Sequence, residues 1–291
     1  MRRSTTSVGT DPSFSRPVLG TALLAELIVA AAVLWPAAAP AQSPAPTPSA
    51  LPAVGMVPAV SDPDPVMSVV LPGGRTAQLL GLGGERTAAL LGRLDTELGT
   101  AATVVTGFWG PDWPHEINLV VAGSDNQFRV LAGGAEDIAA TTTAQRIMFA
   151  PGAADMSRPA LRIVLRHELF HYAARARTAP DAPRWLTEGV ADYVGRPAEP
   201  LPGPTRAAEL AQLPTDADLD AIGAARSLAY DRAWWFSRYV ADRYGPRALR
   251  ELYLRACGFG HPDVGTAVHD VLGVDLDQVL AGWRQWLSRP A

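Results

Sequence analysis

The sequence predicts an α+β fold: a small twisted sheet with helices, then a mostly helical C-terminal lobe. Three observations predict it. Short apolar runs rich in β-branched residues, bounded by Gly and Pro clusters, lie before about residue 155. After about residue 156, apolar residues recur at helical spacing. The first of those helical patterns carries His167-Glu168-x-x-His171 opposite its apolar stripe, which turns a polar face toward a cleft between the two parts.

Residues 1–41 read as a targeting segment. Arg2, Arg3 and Arg16 precede an apolar run from Val18 to Trp35, and Ala37-Ala38-Ala39-Pro40-Ala41 closes it. A charged start, apolar middle and small-residue end describe a secretory signal. The same run also has about the length of an uncleaved membrane anchor, although Glu26 near its centre costs about 2.5–3.5 kcal/mol on an insertion scale. Either way the remainder is expected outside the cytoplasm, secreted or tethered to the outer face of the membrane. Residues 42–65 are rich in Pro, Ala and Ser and read as a disordered linker. A catalytic-sized domain is expected over 66–291.

Within that domain, Val66 to Leu71 is a first strand ending at Pro72-Gly73-Gly74. Glu85 to Leu98 is a helix with Ala88, Leu91, Leu94 and Leu98 on one side. Thr103 to Thr106 is β-branched and reads as a strand. Pro111 to Pro114 is a turn, and Ile117 to Val121 a strand. Ser124 caps a short helix over Asp125 to Leu131. Arg146 to Ala150 is the last strand. Arg158-Pro159 opens the two-histidine helix, whose stripe is Leu161, Val164, Leu165, Leu169 and Tyr172. Ala179 to Pro183 is a turn, and a second helix starts near Arg184. Further helices span Arg206 to Leu213, Arg226 to Tyr244, Arg247 to Ala256, Asp263 to Leu272 and Leu276 to Leu287. Trp234, Trp235, Trp283 and Trp286 are expected in the core.

Composition excludes several functions. All 25 basic residues are arginine, the net charge is −4, and no basic patch argues for nucleic acid. Cys257, the one cysteine, excludes an intrachain disulfide and a cysteine zinc cluster, and reads as a small apolar filler.

His167 and His171 stand four apart, so a helix places both imidazoles on one face, about 5.4 Å apart along its axis. Two imidazoles so placed can converge on one Zn²⁺, and Glu168 beside them can take a proton from water activated by the metal. Three protein ligands are usual at a catalytic zinc. Glu188, in Trp185-Leu-Thr-Glu-Gly-Val-Ala-Asp-Tyr193, is the natural third. Asp192, one helical turn on, can accept a ring N–H from His167 or His171 and fix its tautomer.

At these residues the chain resembles the gluzincin metallopeptidases, in the wording of the small bacterial branch called peptidase-MA-like. The resemblance implies a zincin-like fold, with His167, His171 and Glu188 as ligands of one Zn²⁺, Glu168 as base and Asp192 orienting a histidine. It implies that the last strand borders the cleft and pairs with an extended substrate. It also implies that Tyr230, in an Ala-Tyr setting, points into the cleft to stabilise an oxyanion; the other reading of Tyr230 is simple packing. The chain departs from the large thermolysin-like enzymes in lacking an Asn-Ala-x-x-x signature before the metal helix. His115, beside Pro114, reads as a turn histidine, and His261 and His269 as surface residues.

The function expected from these residues is a zinc-dependent hydrolase, a peptidase acting on peptide or protein substrates. The alternative is a non-catalytic, zinc-stabilised extracytoplasmic binding module, which needs the ligands but not Glu168.

Overall fold

A computed structural model describes residues 66–133 and 138–289. The targeting segment expected over 1–41 and the linker over 42–65 lie outside the described residues. Among the described residues, no helix is long and apolar enough to cross a membrane.

The chain begins with a hairpin, β1 (Met67–Leu71) and β2 (Arg75–Gly81). Gly73 and Gly74 turn it with φ of 77° and 74°, a region that side chains with a Cβ disfavour. The sequence reading missed β2. Ala77, Gln78 and Gly81 weaken its strand signal, but its alternate residues Arg75, Ala77 and Leu79 are buried, as a half-covered strand requires.

Next comes α1 (Glu85–Trp109), and here the expectation is corrected. The run Thr103 to Thr106 is not a strand but the last third of one long helix. Its apolar register decides the matter: Leu94, Leu98, Ala101, Ala102, Val105 and Trp109 are all buried along one side. Burying side chains of this size contributes about 1.5–3 kcal/mol for each large one, well above the strand preference of β-branched residues. Thr103 also bonds back, its Oγ1 donating to the Gly99 carbonyl at 3.0 Å.

β3 (Glu116–Val121), α2 (Asp125–Ala132), β4 (Ala140–Thr142) and β5 (Ile147–Phe149) complete the first half. Ser124 caps α2 as expected, accepting from the Gln127 amide. The sheet order is β1-β2-β3-β5-β4, with β2, β3 and β5 parallel and both outer strands antiparallel. The last strand in the chain, β5, therefore has both edges taken. The terminal strand on that side is β4, three residues that the sequence reading missed because so short a run carries no periodicity.

The rest is helical: α3 (Arg158–Ala174), α4 (Arg184–Gly195), α5 (Pro204–Leu210), α6 (Asp216–Leu219), α7 (Ala224–Tyr244), α8 (Pro246–Cys257), α9 (Val264–Leu272) and α10 (Leu276–Leu287). One core joins a face of the sheet (Leu79, Ile117, Leu119) to α1, α3, α4, α7, α8 and α10. A smaller one, with Val120, Met148 and Phe128, lies under α2. The four tryptophans and Cys257 are buried.

Glu97 on α1 ties α3 in place. It accepts from Arg158 Nε at 2.5 Å and Arg162 Nε at 2.9 Å, and these two bonds hold its carboxyl below the usual range. A carboxylate depressed on folding adds stability above its unfolded pKa and loses it as pH falls through the folded value. Both arginines are more than a third exposed, so screening keeps the gain small. Glu97→Gln is expected to cost about 1 kcal/mol in urea unfolding at pH 7, with the gap closing on acidification toward pH 3.

Candidate metal centre

α3 starts where Ser157 Oγ accepts from the Ala160 amide, with Pro159 in the first turn. Leu161, Val164, Leu165, Leu169 and Tyr172 anchor it, and that anchoring leaves His167, Glu168 and His171 at the junction with α4 and β4. The turn before α4 is pinned by the Ala179 amide donating to the Cys257 carbonyl at 2.7 Å. α4 then runs against α7 so closely that no side chain fits between them at Gly189. A Cβ there would sit 2.4 Å from the Ala233 carbonyl oxygen and 2.8 Å from Ser237 Oγ. This contact sets the depth of the neighbouring Glu188.

His167, His171 and Glu188 are all buried, and one ligand-capable atom of each lies within 4.8 Å of the others. His167 Nε2 is 3.0 Å from His171 Nε2 and 3.2 Å from Glu188 Oε2. His171 Nε2 is 3.6 Å from the same Glu188 oxygen. A tetrahedral zinc with bonds of about 2.0–2.1 Å requires ligand atoms about 3.3 Å apart. The three observed separations bracket that value. Glu188 Oε2, at the apex, is buried with no hydrogen-bond partner among the described residues. A buried carboxylate oxygen facing two imidazole nitrogens is stable when a ring proton or a metal cation is shared among them. The donor set therefore fits zinc.

Burial opposes an imidazolium at His167, but the carboxylates of Asp192 and Glu188 outweigh it and raise its pKa to about 10, so the cluster attracts a positive charge, a proton or a metal ion. Burial would raise Glu188, but the charges of His171 and His167 hold it at about 2. Asp192 Oδ1 lies 2.8 Å from His167 Nδ1, which places a ring hydrogen on Nδ1 and leaves Nε2 facing the cluster, where a metal would displace its proton. Asp192 is held in turn by Arg196, which reaches Asp231 on α7 at 2.7 Å.

Glu168 is fully buried. Its Oε2 accepts from Thr142 Oγ1 at 2.6 Å, and its Oε1 has no partner among the described residues. Burial raises its pKa against the pull of His167, His171 and the Thr142 bond. Tyr230 is buried on α7 against Leu219 and Trp185. Burial and then the charges of Glu188 and Asp192 push its hydroxyl well above 10, so α7 brings it within the field of the cluster as a neutral group.

Of the other histidines, His115 is exposed and His269 is exposed beside Asp275. His261 is only partly exposed, because the bend after α8 tucks it toward Asp181. Sequence reasoning missed Thr142. The β-branched run Thr141-Thr142-Thr143 was the available signal, but nothing local tied it to Glu168.

No protein-family model matches the chain, and no curated protein matches it. Among solved structures it is similar to a two-domain M1 zinc metallopeptidase mutant bound to L-arginine, with 18% identity and a TM-score of 0.44, over 79% of this chain and 51% of that one. It is also similar to an M1 zinc metallopeptidase mutant from Deinococcus radiodurans, with 17% identity and a TM-score of 0.44, over 79% and 52%. The chain spans about half the length of these structures.

Proposed function

We propose that the protein is a zinc-dependent peptidase of the gluzincin type, acting outside the cytoplasm. The observation that carries the proposal is the triangle of His167 Nε2, His171 Nε2 and Glu188 Oε2. These three residues would hold one zinc. When bound, zinc supplies Lewis acidity, which makes water nucleophilic near neutral pH and polarises a carbonyl.

The remaining work falls to side chains. Glu168 is the proton carrier: it takes a proton from the attacking water and delivers it to the leaving amine. Its burial and raised pKa suit a group that must both accept and release a proton. Thr142 fixes the carboxylate by a bond to one oxygen and leaves the other for the water. Asp192 keeps His167 in the tautomer that presents Nε2. Tyr230, neutral at working pH, is the donor assigned to the developing oxyanion.

The test is metal analysis of the full chain combined with a broad peptide library. One zinc per chain and cleavage abolished by a chelator support the proposal. One zinc with no cleavage would favour the zinc-stabilised binding module. Asp192→Asn is expected to weaken zinc about 10- to 100-fold in a competition titration, because the ring is no longer oriented by a charge. An unchanged affinity would remove Asp192 from this role.

A further inference from the structure

Beside the candidate metal centre lies a cavity of about 300 Å³. Thr142, Thr143 and Ala144 form one wall; His171, Arg175, Ala176 and Thr178 form the other. It touches both a zinc ligand of the proposed enzyme and Thr142, the partner of Glu168. Whatever occupies it lies next to the reacting bond.

Apart from His171, a ligand of the proposed zinc, the polar side-chain groups of these walls are spent among the described residues, with one exception. Thr142 Oγ1 donates to Glu168. Thr143 Oγ1 donates to the Arg146 carbonyl at 3.1 Å. Thr178 Oγ1 is shared between the Ala174 carbonyl at 3.1 Å and the Tyr253 hydroxyl at 2.8 Å. The exception is Arg175. Its guanidinium lies 3.4 Å from the centre of the Tyr172 ring, its Nε donates to the Ala144 carbonyl at 3.1 Å, and its Nη1 donates to the Tyr172 carbonyl. These contacts hold the group in place and leave its charge and Nη2 without a partner among the described residues, open to solvent or a ligand. Among the described residues, no carboxylate pairs with it and no acidic side chain lines the cavity.

A rigid, unpaired guanidinium in a cavity walled by small side chains is built for a planar anion. We infer that this cavity binds a substrate carboxylate through Arg175, so that the protein selects peptides with a negative charge close to the scissile bond. The inference rests on the peptidase reading and adds its substrate class. A peptide offers that carboxylate from two sources, an Asp or Glu side chain or the free C-terminus.

The test is calorimetric binding to the full-length, zinc-loaded Glu168→Gln variant, which should not turn peptides over. Two pairs of blocked tetrapeptides are compared: free acid against amide at the C-terminus, and Asp against Asn within an amidated peptide. In one pair the charged member is expected to bind roughly 10- to 100-fold more tightly. The first pair would assign the C-terminus, the second the side chain. Adding Arg175→Gln should abolish the difference, and Arg175→Lys should restore part of it. Arg175 also caps α3, so Ala144→Asp provides a second route: it places a carboxylate beside an intact Arg175 and should cancel the preference with zinc content unchanged. Equal binding within both pairs, or a preference that survives Arg175→Gln and Ala144→Asp, overturns this inference alone. Failure of all four peptides to bind overturns it together with the peptidase reading.

Discussion

Glu168→Gln is expected to lower kcat by about 10²- to 10⁴-fold while leaving zinc content and thermal stability near those of the parent. The amide matches the carboxylate in shape and can still accept from Thr142 Oγ1 at the position Oε2 occupies. It cannot take a proton from water. Zinc retention is expected because Glu168 is no member of the ligand triangle. The measurement is single-turnover kinetics beside metal analysis on the same preparation. Undiminished turnover would remove Glu168 from proton transfer. Loss of zinc would mean that the residue helps to hold the metal.

The second large effect is expected at a residue that carries no ligand atom but adjoins Glu188. Gly189→Ala would normally stabilise a helix by about 1 kcal/mol. Here the added methyl meets the Ala233 carbonyl oxygen at 2.4 Å and its carbon at 2.7 Å. Backbone atoms of a packed helix cannot yield, so α4 must back away from α7 and take Glu188 and Asp192 with it. A cost of about 1–3 kcal/mol is expected for overpacking of this kind. For a domain of this size that lowers Tm by about 2–12 °C. Zinc affinity should fall at least about tenfold, since a displacement of a few tenths of an ångström spoils the triangle. Calorimetry and a zinc competition titration on one sample would show both. An unchanged Tm would mean that the two helices are not packed this closely.

Much of this arrangement was legible in the residues. The four-residue spacing of His167 and His171, the Pro-rich turn at 179–183 and the Trp185 to Tyr193 stretch located both helices and the residues that the structure brings together. Long apolar stripes, such as Leu276 to Leu287, were read to the residue. What stayed hidden was decided by partners distant in the chain. β2 is a strand because β1 and β3 flank it, not because Ala77 and Gln78 favour one. Thr103 to Thr106 is helical because α1 lies along α3 and needs Val105 on its buried side. Thr142 and Arg175 acquire meaning only when β4 and the end of α3 meet across a cavity. Gly189 signals nothing by itself; its role is the absence of a methyl against a helix 44 residues away.

The central claim is that two imidazoles and one carboxylate share a single zinc. Zinc-edge X-ray absorption on the full-length protein, loaded with one equivalent of metal, tests it most directly. The expected spectrum shows nitrogen and oxygen neighbours at about 2.0–2.1 Å, an imidazole contribution fitted by two rings, and no sulfur. In Glu188→Ala and in His171→Ala that signal should give way to hydrated zinc. A parent protein that leaves the metal in solution, or variants whose spectra match the parent, would contradict the account.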